Sequence, residues 1–517
     1  MFNISPETNS DHKTGSKSSI LNYFFQHVKE TYYSNTYNRL SRIPGPWLAS
    51  CTNLWRFALT WTEKAEATHI KLHAQHGDVV RLGPNLVSVT DMDAVKKIYG
   101  AGTSYEKSEF YATFRDVARG HILENMFSLR NNGFHRVLRR SVASAFSMST
   151  LVQLEPFVNS TLSSFMRELD KRFVNTETGQ KVFDLSRWLN LYAFDAIGEL
   201  SFSERIGFLE SGGDMEGIMH QVEMQLGHQN TVGQMPWLDR FWAKNPIGLW
   251  LGRMGILQER DSIVVRFAAR KIKERYEALG AGTAPSATDF LDRFIQAGIK
   301  DPELMTEQEI LSLTLVNIFA GGDTTAIALS AIFYFLLKNP STLEKLMAEL
   351  HESPPNRDDG IMSYGEARKL PYLKAVIQEG LRMFPGIGNP LERVVPPQGL
   401  EVCGHFLPGG TIVGTSAWPL HSKESIFGAN PREFRPERWI EASESQIGLM
   451  NSAMFAFGMG GRSCVGQNIS LLEIYKVVPT ILWKYKLAFA NPTAEWTTSN
   501  RWFIYQKNFF ITLEHRV

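Results

Sequence analysis

Cysteine is scarce in this 517-residue chain: Cys51, Cys403 and Cys464 are the only three, and they lie far apart. So small and odd a count excludes a disulfide framework, and the spacing suits no zinc cluster. It fits a reducing, intracellular compartment and leaves room for one thiolate acting as a lone ligand. An excess of one charge is lacking too. Lys plus Arg number 54 against 53 Asp plus Glu, a net +1 spread along the length. No nucleic acid is expected as partner, since that would need a concentrated basic surface. The N-terminus lacks a long apolar run. A spanning helix needs about 20 mostly apolar residues. Residues 1–43 offer only Ile20 to Phe25, broken by Asn22 and followed by Gln26, His27, Lys29 and Glu30. Signal-peptide character is missing as well. No nucleotide-binding glycine fingerprint appears either, which excludes a self-contained flavin or nicotinamide oxidoreductase.

What is present is an ordinary globular composition, 43% hydrophobic and 21% charged, long enough to bury a large planar cofactor. Residues 1–42 read as a polar leader, with 20–33 as either a short amphipathic helix on a membrane surface or a solvated helix. Ile43-Pro44-Gly45-Pro46 is a rigid turn that opens a single folded domain over 43–517. A helix is expected over 62–76, then a hairpin of alternating strands around Gly83-Pro84. From about 91 to 350 the pattern is helical, with long segments at 134–173, 186–202, 246–279 and 306–338. Short strands return at 394–415, and a helix and one strand pair close the chain. The fold class is mainly α with a minor β region. The apolar segment ending near Leu337 resembles a membrane span, but Asp323 at its middle would cost about 3 kcal/mol there. A buried through-core helix is the better reading, opened by a capping box from Thr306 to Glu309 and stopped by Asn339-Pro340.

Three constellations carry chemistry. Phe457-Gly458-Met459-Gly460-Gly461-Arg462-Ser463-Cys464-Val465-Gly466 is a glycine-rich loop delivering a cysteine to a helix start, where amides and dipole favour thiolate. Arg462 can place a cation over a carboxylate. Read alone, the loop is also compatible with a tight turn holding a structural cysteine. A phosphate loop is excluded, because no Gly-Lys-Ser/Thr follows a strand here. Ala320-Gly321-Gly322-Asp323-Thr324-Thr325 sets an acid beside an alcohol inside an apolar helix, which is costly unless both are used or paired. The paired glycines thin the helix for a small ligand; the plainer alternative is a kink with a satisfied aspartate. Glu379 and Arg382, at i,i+3, can meet as an ion pair, which on a surface would be worth about 0–1 kcal/mol.

The Cys464 loop matches at every fixed position the haem-binding signature Phe-x-x-Gly-x-Arg-x-Cys-x-Gly, and the other motifs follow in order. The chain resembles the cytochromes P450 over about residues 43–517. That resemblance implies a triangular helical prism with haem b between the central helix and the Cys-ligand helix. It makes Cys464 the axial iron ligand, with Phe457, Gly458 and Gly466 shaping its loop. It assigns Asp323 and Thr324 to oxygen activation and proton delivery. Arg438, in Phe434-Arg435-Pro436-Glu437-Arg438-Trp439, joins Glu379 and Arg382 as a structural triad. His135 and Arg139, on one helix face, join Arg462 and Arg393 as propionate partners; an exposed basic face is the alternative for the first two. The implied activity is haem-thiolate monooxygenation of a lipophilic small molecule by a monomeric enzyme. Electrons would come from NADPH through a separate NADPH-cytochrome P450 reductase, with cytochrome b5 as a further donor. The opening Ile43-Pro44-Gly45-Pro46-Trp47 and the segment Tyr105-Glu106-Lys107-Ser108-Glu109-Phe110-Tyr111 resemble fungal pisatin-demethylase-like enzymes of secondary metabolism. The expected location is cytosolic or peripheral on the endoplasmic reticulum. An isomerase or peroxygenase needing no external electrons, and a non-catalytic haem gas sensor, are the competing classes.

Overall fold

A computed structural model describes residues 39–516, apart from 175–180, 243, 257–261 and 284–287. Most of the expected leader, including the short helix at 20–33, lies outside the described residues. The Pro-rich turn is pinned to the first strand: Arg81 N donates to Pro44 O at 2.8 Å. A side chain at Gly45 would meet Arg81 O at 2.3 Å, so only glycine fits that approach.

One sheet joins distant parts of the chain. Its strands run in the spatial order Val79–Gly83, Leu86–Val89, Ile412–Gly414, Arg393–Val394 and Glu106–Lys107. The first two form the hairpin expected around Gly83-Pro84. Both strands are buried throughout. Their polar positions are satisfied internally. Arg81 Nη2 donates to Pro84 O at 2.7 Å, and Ser88 Oγ lies 2.8 Å from His73 Nε2.

The helical region is more broken than its periodicity suggests. The stretch at 134–173 resolves into Asn132–Val142, Met148–Gln153 and Glu155–Leu169, because Ser147 caps the second helix and Pro156 opens the third. The stretch at 246–279 divides into Pro246–Arg253 and Ile263–Ala281. Helix Leu185–Phe202 and the central helix Glu307–Lys338 are continuous. The chain closes with two strand pairs where one was expected. Tyr485–Phe489 pairs with Phe510–His515, and Thr497–Arg501 with Phe503–Lys507. At the second turn Trp502 sits at φ +83, uncommon for a bulky residue, and its buried ring forms part of a cavity wall.

Among the described residues only the central helix is long and apolar enough to cross a membrane, and 72% of its apolar window is buried in protein. Helix Leu185–Phe202 runs along it, and helices Pro371–Met383 and Gln467–Lys484 pack on it as well. The glycine pair does not interrupt the helix. A Cβ on Gly321 would lie 2.7 Å from Ile197 Cγ1, and one on Gly322 2.7 Å from Phe194 Cδ2. The pair therefore admits the neighbouring helix closely, and Gly321 also borders the cavity that Thr324 lines.

Candidate active site

The cysteine loop is built by backbone closure. Gly458 N donates to Phe455 O at 3.0 Å and Cys464 N to Phe457 O at 2.8 Å. Gly460 has φ +65, and a Cβ there would meet Tyr99 O at 2.0 Å, so the loop presses on the preceding layer. Gly466 caps helix Gln467–Lys484. Burial raises the Cys464 thiol pKa, while the amides of Gly466 and Gln467 and the nearby Arg139 charge act against it. Though enclosed by the fold, Cys464 is open to a cavity of about 1840 Å³, its solvent-filled mouth included, lying against the central helix. Phe457, Gly458 and Gly466 line the same space.

Basic side chains cluster on part of this cavity's wall. Lys107, His135, Arg139, Arg393 and Arg462 all line it. Arg139 Nη1 donates to Ser463 O at 2.6 Å, clamping the residue before the cysteine. Arg462 donates to Leu129 O at 2.8 Å, Arg130 O at 2.9 Å and Asn132 Oδ1 at 2.8 Å. Strand register places Lys107 directly opposite Arg393. Like charges so paired are destabilising. Glu392, the adjacent acid, is turned onto Arg56 and accepts from Ser108 Oγ at 2.5 Å. Among the described residues no carboxylate forms an ion pair with any of the five. Burial, then mutual repulsion, pushes Lys107 well below its usual range, His135 down to about 3 and Arg462 to about 10. A site of that kind calls for an anion. The two propionates of a haem would supply one, and a thiol on the cavity wall would supply a ligand to its iron. The residues present fit that group: Cys464 would hold the iron, and Lys107, His135, Arg139, Arg393 and Arg462 the propionates. Lys107 was not identified from sequence, because its role depends on a strand register.

On the central helix the acid and the alcohol diverge. Thr324 lines the cavity and its hydroxyl donates back to Ala320 O at 2.7 Å. Asp323 faces away and is buried, accepting from Tyr505 Oη at 2.7 Å and Asn190 Nδ2 at 3.0 Å. Burial raises its pKa to about 6 despite those two donors.

Behind the loop, Glu379, Arg382 and Arg438 come together in the core. Arg382 Nε and Nη2 donate to the two Glu379 oxygens at 2.8 Å each, and Arg438 Nε to Oε1 at 2.9 Å. Trp439 Nε1 at 2.9 Å and Arg435 N at 3.0 Å complete five donors on one carboxylate. Burial works to raise the Glu379 pKa, but the bonds and charges of Arg382 and Arg438 outweigh it and hold it below the usual range. His421 carries this network to the cysteine loop, a link the sequence did not signal. Its Nδ1–H donates to Arg382 O at 2.9 Å, leaving Nε2 to accept from Phe455 N at 2.9 Å. Burial pushes its pKa down to about 3, so the ring is neutral as both bonds require.

The family model for cytochrome P450 matches residues 44–512. Cytochrome P450 monooxygenase cicH of Emericella nidulans is 42% identical over 496 residues, covering 96% of this chain and 97% of that protein. A cytochrome P450 monooxygenase of Aspergillus terreus is 42% identical over 459 residues, 88% of this chain and 91% of that protein. Cytochrome P450 monooxygenase pkfB of Emericella nidulans is 35% identical over 484 residues, 93% of each. The chain belongs to the cytochrome P450 family, whose members carry haem, draw on a redox partner and act on lipophilic molecules. Within that family it is a monooxygenase of the fungal type.

Proposed function

We propose that the chain oxygenates a lipophilic small molecule of fungal secondary metabolism by hydroxylation, epoxidation or oxidative demethylation, with electrons from NADPH through a separate reductase. The observation that carries this reading is a cysteine presented to a large, mostly apolar cavity, beside a cluster of basic side chains that no carboxylate among the described residues pairs with. When bound there, haem supplies the activation of molecular oxygen, one atom going to substrate and one to water. The protein's part is to hold the thiolate, exclude water and deliver protons. Thr324 presents its hydroxyl on the cavity side, and Asp323, one residue away, carries a carboxyl whose raised pKa suits proton transfer near neutrality.

A second depression lies behind the cysteine loop, lined by Gly458 and Gln467 and rimmed by Lys96, Arg368 and Lys374. Arg136 and Arg140 are exposed on the helix that carries Arg139. This basic face suits an acidic flavoprotein donor. In reconstitution with NADPH and a diflavin reductase under labelled O2, product should carry one labelled oxygen atom, at a rate that falls as salt rises. Turnover without reductase would favour the peroxygenase or isomerase class and sink this reading. Thr324→Ala should keep its haem, yet lose about tenfold or more of product per NADPH as hydrogen peroxide forms instead. Tight coupling in that variant would remove Thr324 from proton delivery.

Peripheral attachment to the endoplasmic reticulum is supported by large apolar side chains left in solvent. Trp47 is 74% exposed, Trp61 71%, Trp242 74% and Ile247 68%. They occupy two stretches, 47–61 and 241–250, and helix Leu54–Trp61 packs against helix Ile218–Val232, which leads into the second. Aromatic side chains of this kind settle at a bilayer interface. Cosedimentation with phosphatidylcholine vesicles is expected for wild type and should drop severalfold in Trp61→Ser/Trp242→Ser. Equal sedimentation of the two would contradict attachment through this face.

A further inference from the structure

A second group of polar side chains, carrying no basic residue, lines this mainly apolar cavity. Asp116, buried on strand Asp116–Ala118, accepts from Gln225 Nε2 at 2.9 Å, with Asn125 Nδ2 at 3.5 Å. Gln229 lies one turn beyond Gln225 on helix Ile218–Val232, and Asn317 comes from the central helix. All five line the cavity. Asn317 is 6% exposed and its Nδ2 is buried with no hydrogen-bond partner. Among the described residues no group bonds the side-chain amide of Gln229. Unpaired buried amides are costly, so these donors and acceptors await a group that completes them.

The same groups restrict what that ligand is. The nearest cation, Lys244, is held by Asp239 and by Thr113 O at 3.1 Å. Burial raises the Asp116 carboxyl to about 6, and above that pH its charge repels an anion. A free carboxylate therefore finds no free cation here and meets the Asp116 charge, whereas a carbonyl takes the Asn317 donor without that repulsion and a hydroxyl finds a donor and acceptors. Phe114, Phe127, Phe319 and Trp502 line the same cavity, suiting an aromatic body. Thr324 follows Asn317 by seven residues, two helical turns or about 10 Å.

We propose that this polar group is a specificity site for a neutral oxygen function, a phenolic or alcoholic hydroxyl or a carbonyl, on an otherwise lipophilic aromatic substrate. Asn317 Nδ2 donates to the ligand oxygen, while Gln229 or Asp116 accepts from a ligand hydroxyl. The substrate is thereby placed with its oxidised carbon about 10 Å from that oxygen, beside Thr324. This inference rests on the haem-thiolate reading above, and its test separates the two.

Optical titration of the haem-loaded enzyme would compare 4-methylbiphenyl, 4′-methylbiphenyl-4-ol and 4′-methylbiphenyl-4-carboxylate. The expected result is at least about tenfold tighter binding of the phenol than of the hydrocarbon. The carboxylate should bind more weakly than the phenol. In Asn317→Leu and Gln229→Leu the phenol's advantage should shrink toward unity with hydrocarbon affinity retained. The ferrous–carbon monoxide spectrum of each variant shows that its haem site is intact. Phenol binding no tighter than hydrocarbon binding, detectable or not, a preference for the carboxylate, or an advantage unchanged in both variants would overturn the proposal. A wild type without the thiolate spectrum would instead strike the haem-thiolate reading.

Discussion

Glu379→Ala is expected to leave little haem-loaded protein and to lower the stability of what remains by about 3–5 kcal/mol, the usual cost of stripping one partner from a buried ion network. The argument is a count of what the carboxylate satisfies. Two guanidinium groups, an indole N–H and a backbone N–H point at it inside the core. Without it, Arg382 and Arg438 stay buried with fewer partners, and the path through His421 to Phe455 loses its anchor. Domains are typically stable by only about 5–15 kcal/mol, so the loss takes a large share of the margin. Gln would not rescue, because its NH2 would set a donor against donors. The pH dependence has a definite sign. A carboxyl held low in the fold stabilises above its unfolded pKa of about 4.3, and that stability is lost as pH falls through the folded value. Urea unfolding of wild type and variant should therefore differ most near neutrality and converge in acid. A constant difference across that range would contradict a charged Glu379.

Cys464→Ala should have the opposite profile: a near-normal fold and no oxygenase activity. The side chain faces the cavity, and the Cys464 N to Phe457 O bond that closes the loop belongs to the backbone. Little packing is lost, so unfolding should shift by no more than about 1 kcal/mol. Turnover should fall by at least about three orders of magnitude, roughly 4 kcal/mol of barrier, because on the proposed reading a haem bound here would depend on this thiolate for its oxygen chemistry. Residual turnover within tenfold of wild type would assign the chemistry to some other group.

Local signals made much of this legible in the sequence. The Pro-rich turn, the hairpin at Gly83-Pro84, the central helix and the cysteine loop all announce themselves through turn residues, caps or glycines confined to a few consecutive positions. The spacing of Glu379 and Arg382 announced their pairing. What stayed hidden depends on register or on contacts between segments far apart in the chain. Lys107 joins the basic cluster only because Glu106–Lys107 pairs with Arg393–Val394. His421 matters only because both its ring nitrogens find backbone partners from separate elements. That Gly321 and Gly322 also admit helix Leu185–Phe202 was hidden as well, since periodicity does not say which neighbour a small residue meets. Asp323 and Thr324 were read together for proton delivery, but their division was hidden: adjacent helical residues point about 100° apart, so Thr324 lines the cavity while Asp323 bonds Tyr505 and Asn190.

The central claim is that Cys464 ligates a haem iron as thiolate, and the ferrous–carbon monoxide difference spectrum of purified wild type beside Cys464→Ala tests it most directly. A red-shifted Soret band in wild type and its absence in the variant is the predicted result. A folded, haem-loaded wild type without that band, or a variant that retains it, would contradict the ligand assignment and the oxygenase chemistry built on it.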